Sequence, residues 1–400
     1  MERGRLPLLA LIAANAVSLI GNVMATVAIP WFVLVTTGSA ARTGIAAFFT
    51  TLPLAVGAVF GGVIADRIGR RVASVVTDLA GAAAMAGIPL LYALGTLEFW
   101  ELVALAFATS LFDAPGQAAR EALIPELAAL SGRTLERATS LWVSTEHVAY
   151  VIGAPIAGVL VAALGAANVL WLDAGSFVAA AALVALAIPP LAAQKGEHRP
   201  YLAELREGIR YLVREPVLRL FLLVASTGNM LAAPIALVFL PVYAREVIGN
   251  ATALGLTVAA WGIGGILSAV LLGPAVRTLG RARAYLASWF LWIVLYFAIA
   301  ALPPLPIMIL VLLASGLSVA APIEALVRQE RTPPDLRARV FATQMAALTL
   351  AAPIGVVAAG FLVEGMGLRP AMLALAAVNA AGAVAFVRAA ARSVQATAAV

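Results

Sequence analysis

Gly61-Gly62-Val63-Ile64-Ala65-Asp66-Arg67-Ile68-Gly69-Arg70-Arg71 joins two apolar runs, residues 43–64 and 73–94. Each run is about the 20 residues that a helix needs to cross hydrocarbon. Three arginines and one aspartate sit between them, so the stretch reads as a tight turn at one membrane surface. Its glycines permit a sharp bend and close helix approach, and its arginines place it on the cytoplasmic side.

The same alternation fills the chain. Further apolar runs fall at 7–36, 98–114, 138–164, 168–190, 217–244, 252–276, 284–302, 304–327, 340–365 and 369–390. Apolar residues make up 63% of the 400 and charged ones 12%, against about 45–50% and 25% in a soluble domain. Runs this long exclude barrel strands, and helices satisfy their own backbone polar groups in lipid. The fold class expected is an all-α polytopic membrane protein with twelve spans. With the N-terminus in the cytoplasm, 23 of the 26 basic residues fall inside and only Arg42, Arg245 and Arg369 outside. Both termini are therefore expected in the cytoplasm.

Composition also removes function classes. The basic excess lies in short loops, which argues against nucleic acid as a partner. Cysteine is absent, so there is no disulfide framework or thiolate site. The two histidines, His147 and His198, are far apart, and neither H-E-x-x-H nor a Walker loop occurs. Neither a metal nor another cofactor is expected, and an enzyme or an ATP-driven pump is disfavoured.

The halves repeat. Gly62-x3-Asp66-x2-Gly69-Arg70 parallels Gly273-x3-Arg277-x2-Gly280-Arg281 at an offset of 211. Gly21-Asn22 matches Gly228-Asn229, and Ala114-Pro115 matches Ala321-Pro322, both at 207. Such order indicates internal duplication, and halves that both start inside are parallel repeats. The expected organisation is a six-helix bundle over 1–193, a cytoplasmic linker with an amphipathic helix over 194–216, and a second bundle over 217–400.

The 61–71 loop resembles the signature G-x-x-x-D-R-x-G-R-[RK] of the major facilitator superfamily at Gly62, Asp66, Arg67, Gly69, Arg70 and Arg71. The resemblance covers the whole chain, with Arg277 replacing the aspartate in the second copy. It implies that fold, two parallel six-helix bundles, and transport by alternating access with substrate held near the midplane between halves. It also implies that Asp113 pairs with Arg70 in one conformation and acts with the loop as a gate.

Two further segments look like the bacterial exporters of siderophores, macrolides and drugs. One runs from Asp113-Ala114-Pro115 through Gln117-Ala118 to Ile124-Pro125-Glu126. The other, Ile152 to Gly158, is similar to an antiporter motif through Gly153, Pro155 and Gly158, residues that equally suit close helix packing. They imply a proton-coupled exporter of small amphipathic molecules or drugs, monomeric and set in the bacterial inner membrane. Import, traffic in a specific metabolite or siderophore, and a channel or scaffold role stay open as alternatives.

Ionisable groups at membrane depth are functional candidates. Glu146 is the first choice for proton coupling and His147 the second, while Asp78 and Glu324 suit an inner gate. Asn15, Ser18, Asn22 and Thr26 form one helical face that either lines a substrate cavity or bonds a neighbouring helix. Tyr150 and Asn229 join the cavity candidates. Many drug–proton antiporters of the superfamily carry an arginine within the fourth span; residues 102–112 contain none.

Overall fold

The computed structural model describes residues 5–190, 201–333 and 336–398. The side chains of 54–67, 147, 201–205, 338, 342 and 385–398 lie outside the described set. All regular structure among the described residues is helical.

The first helices are α1 (Leu6–Thr37), α2 (Ala40–Ile68), α3 (Arg70–Ala93) and α4 (Phe99–Glu121). The short α5 (Ile124–Leu130) leads to α6 (Leu135–Leu164) and α7 (Ala166–Ala187). The amphipathic α8 (Tyr201–Arg214) precedes α9 (Pro216–Ile248), α10 (Ala251–Leu279) and α11 (Arg281–Ala300). The last are α12 (Leu305–Arg331), α13 (Arg337–Met366) and α14 (Leu368–Ala398).

Among the described residues nine helices are long and apolar enough to cross a membrane: α1, α3, α6, α7, α9, α10, α11, α12 and most of α13. The other three expected segments are helical too. Of these, α4 carries Glu101, Asp113, Arg120 and Glu121, α14 contributes the shorter apolar stretch Leu368–Val384, and much of α2 has no described side chains.

Local chemistry sets the helix ends. Ser39 caps α2 by accepting the Arg42 amide at 3.0 Å, and the Glu101 carboxylate accepts the Glu98 amide at 2.9 Å at the start of α4. One glycine in left-handed or related backbone joins each of four helix pairs: Gly69 (φ 88°), Gly165 (φ 84°), Gly280 (φ 77°) and Gly367 (φ 87°). A side chain at such a φ is strained. These links fall after the second and fifth spans of each half, another trace of the duplication. In α6, Pro155 has no N–H for the carbonyl four residues earlier, and the backbone there takes a π turn over Ala149–Gly153.

Two compact units divide the chain. One comprises Met1–Glu197 with Leu240–Ala259, the other His198–Phe239 with Ala260–Val400. This differs from the bundle boundaries read from sequence, because the last third of α9 and the first third of α10 pack within the first unit. There a Cβ on Gly158 would stand 2.9 Å from the Gly255 Cα, and Arg245 donates to the Leu34 carbonyl at 2.5 Å. Leu8, Leu11, Leu123, Leu127, Trp142 and Val184 form part of that unit's core. In the second unit Tyr285, Val319 and Ile323 pack with Phe221 and Trp289.

Candidate functional site

The first unit buries a charged cluster among α1, α3, α4 and α7. Its centre is Arg120, fully buried, whose Nη1 donates to both oxygens of Asp78 at 2.6 and 2.7 Å. Nη2 donates to the Ser18 hydroxyl at 3.3 Å and lies 3.9 Å from Asp113 Oδ1. Asn22 completes Asp113 by donating to Oδ2 at 2.9 Å. A third carboxylate, Asp173 on α7, is also fully buried and close enough to feel the charge of Asp113. Its Oδ1 accepts from Ser176 at 3.4 Å, whereas Oδ2 has no hydrogen-bond partner among the described residues. One guanidinium thus faces two buried carboxyl groups, with a third beside the second, a setting in which charge balance is strongly coupled to structure.

Backbone choices make room for it. A Cβ on Gly21 would come within 2.0 Å of Ser176 Oγ and 2.4 Å of Asp173 Oδ1. A Cβ on Gly116 would stand 2.6 Å from Thr77 Oγ1 and 3.2 Å from Asp78 Oδ1. Only hydrogen fits at either place, so the glycines let α1 meet α7 and α4 meet α3 around the polar groups.

Arg120 corrects two expectations. It was counted among cytoplasmic loop residues, and the fourth span was taken to end at 114 and to lack an arginine. The helix instead continues to Glu121. Asp113 and Arg120 are seven residues apart, two turns, hence on one face; that spacing was the available signal.

In this conformation the 61–71 loop makes other contacts than the Arg70–Asp113 pair that the resemblance implies for one state. Arg70 donates to Glu126 at 2.8 Å and to the Ala122 carbonyl at 2.9 Å, rather than pairing with Asp113. The reason is placement: Asp113 lies more than two turns inside α4, whereas Glu126 sits on α5 beside the end of that helix. In the second unit Arg281, the counterpart of Arg70, donates to Glu330 at 2.7 Å, in the last turn of α12, so both copies tie their loop to a glutamate near the end of the second helix that follows. Arg71 donates to the Ala185 carbonyl at the end of α7, and Gly69 forms the α2–α3 link. The side chains at Gly62, Asp66 and Arg67 lie outside the described residues.

The stripe on α1 divides. Asn15 is buried and donates to Thr145 at 2.7 Å, Ser18 receives Arg120, and Asn22 holds Asp113. These three bond neighbouring helices and do not form an open cavity wall. Thr26 is exposed and donates to its own Val23 carbonyl. Asn229 likewise joins α9 to α13 by donating to the Leu348 carbonyl at 2.6 Å.

Glu146 and Tyr150 are both exposed. The Glu146 carboxylate is close enough to Glu121 for the two charges to interact. Towards the start of α6, a groove of about 600 Å³ is lined by Leu135, Glu136, Thr139, Ser140, Val143 and Ser144. The side chain of His147 lies outside the described residues. Gly153 packs on Val23 and the Ile20 carbonyl, Pro155 follows the π turn, and Gly158 meets Gly255. Glu324, on α12, accepts the Tyr285 hydroxyl at 2.8 Å, a clasp inside the second unit.

Comparison with known proteins follows this geometry. The sequence profile of the Major Facilitator Superfamily matches residues 11–253 and 235–398. The chain is 32% identical over 379 residues to the multidrug efflux pump Tap of Mycolicibacterium fortuitum, covering 92% of each chain. It is 24% identical to macrolide efflux protein A of Streptococcus pyogenes, over 89% of each. Among solved structures, the nucleoside transporter NupG superposes with a TM-score of 0.80 at 13% identity, over 96% of this chain and 98% of that one. A bacterial homologue of the iron transporter ferroportin, in its inward-facing state, gives 0.71 at 18%, over 96% and 98%.

Proposed function

The chain belongs to the Major Facilitator Superfamily, and from that premise we propose that it is an efflux transporter that expels small amphipathic molecules, drugs among them, in exchange for protons. The observation that carries the reading is the similarity to Tap over 92% of both chains.

In this reading the chain works as a monomer in the bacterial inner membrane with both termini in the cytoplasm. The two sequence halves, 1–193 and 217–400, rock about the substrate, and the 194–216 segment joins them. The exposed polar residues of α6, up to Glu146 and Tyr150, offer substrate a wet path, since polar side chains facing lipid would be wasted. Proton coupling is assigned to Asp78, Asp113 and Asp173 around Arg120. Adding a proton to Asp113 removes one of the charges facing Arg120 and leaves the guanidinium to Asp78. Releasing it restores the attraction. A cluster whose helix contacts change with one proton supplies the coupling that exchange requires. Arg70–Glu126 and Arg281–Glu330 are the surface clamps that open and close with it.

Expression in a pump-deficient bacterium tests the export claim: dye and drug accumulation should fall and should recover with an uncoupler. Unchanged accumulation across a broad panel would overturn it. In everted vesicles D113N should abolish substrate-dependent proton movement while leaving substrate binding, and E146Q should weaken binding more than coupling. The opposite split would return the coupling role to Glu146.

A further inference from the structure

The helix α8 (Tyr201–Arg214) has two faces, and contacts within the second unit decide which is which. Gly208 and Leu212 are buried against it. A Cβ on Gly208 would stand 2.3 Å from Thr343 Oγ1, and Leu212 packs with Leu218 and Val340. Tyr211 donates to the Arg331 carbonyl at 2.7 Å. Glu207, half exposed, pairs with Arg339, and Glu215, just past the helix, pairs with Arg331; the side chain of Glu204 lies outside the described residues.

What remains outward is basic and apolar. Arg206, Arg210 and Arg214 are exposed and four residues apart, hence one stripe along the helix. No described residue forms an ion pair with them. Ile209 and Val213 lie beside that stripe and are 47% and 50% exposed. Only Glu215 separates α8 from α9, a spanning helix that begins at Pro216. The end of α8 is therefore anchored where the chain passes into the bilayer.

We propose that this outward face is a binding site for anionic phospholipid of the cytoplasmic leaflet. Arg206, Arg210 and Arg214 receive the headgroup phosphates, and Ile209 and Val213 settle at the glycerol and first acyl carbons. Charge selects the occupant: three cations with no ion pair among the described residues, beside two apolar side chains, match a phosphate carried on hydrocarbon. The pairing of Glu207 with Arg339 and of Glu215 with Arg331 offsets their negative charge beside the face that meets the lipid. The site is independent of what the protein transports.

The test uses the purified full-length protein in neutral detergent, titrated with phosphatidylglycerol or phosphatidylcholine, with retained lipid counted by native mass spectrometry. Each arginine near an anionic surface contributes roughly a fivefold preference. Wild type should therefore retain phosphatidylglycerol over phosphatidylcholine by about a hundredfold at this site. The variant R206Q/R210Q/R214Q should lose most of that preference. R206K/R210K/R214K should keep it, which separates lost charge from lost folding. R5Q/R133Q/R137Q, with the same net charge as the glutamine triple, should also keep it. An unchanged preference in the glutamine triple, an equal loss in the displaced-charge control, or full competition by water-soluble glycerol phosphate would overturn the proposal.

Discussion

Replacing Asp78 with leucine would take away the two carboxylate oxygens at 2.6 and 2.7 Å from the Arg120 guanidinium. What remains is one neutral hydroxyl at 3.3 Å and one carboxylate at 3.9 Å. Both side chains of the lost pair have no exposed surface, so water cannot fill the gap. Breaking a buried ion pair from one side costs about 3–5 kcal/mol, roughly two to three and a half orders of magnitude in the folded-to-unfolded ratio. R120M should cost a similar amount by stranding Asp78. The double variant D78L/R120M strands neither member of the pair. Its residual cost is Asp113 left with Asn22 alone, about 1–3 kcal/mol for a weakened buried acceptor. Equilibrium unfolding in mixed micelles of the four proteins should thus reveal a coupling of at least about 3 kcal/mol. An additive double variant would refute the pairing and, with it, the central place given to Arg120.

Gly21→Ala should destabilise the first unit by about 1–3 kcal/mol through overpacking against Ser176 and Asp173. Adding Ser176→Ala should return part of the loss, read as thermal midpoint. Arg70→Gln removes a half-buried pair and a carbonyl bond, whereas Arg281→Gln removes a pair about half exposed on both sides. The first should slow transport measurably, and the second should change stability by at most about 1 kcal/mol; equal effects in vesicle transport and unfolding would contradict this ranking. Asn229→Leu should cost about 0.6–2 kcal/mol by removing the α9–α13 hydrogen bond, and unchanged unfolding would argue against that contact.

The membrane architecture was legible because lipid imposes it: run length, apolar content and arginine placement each report on the same solvent. Duplication was legible at Gly69 and Gly280, where one backbone conformation demands glycine. The cluster was less so. Apolar run length ended the fourth span at 114, because a window that sees Arg120 and Glu121 reads loop. An arginine is tolerable fully buried in α4 chiefly through Asp78, 42 residues away in the chain. The α1 stripe showed the same limit. Periodicity placed Asn15, Ser18 and Asn22 on one face, but Thr145, Arg120 and Asp113, on other helices, decide what that face touches. Glu126 escaped notice as the Arg70 partner because it follows α4 by only a few residues and resembles an ordinary helix-start glutamate.

The single-residue links at Gly69, Gly165, Gly280 and Gly367 carry a further consequence, for chain length. A helix advances 100° per residue, so one residue inserted at such a link would turn every side chain of the next helix to a new face. At Gly69 this would swing Asp78 away from Arg120, and at Gly165 it would carry Asp173 away from Gly21. No slack exists to absorb the change. The links should therefore reject insertions of even one amino acid, whereas segments such as 94–98 and 131–134 have turns in which an epitope or label can be placed. Where the chain can be lengthened is in this way decided by where it must keep phase.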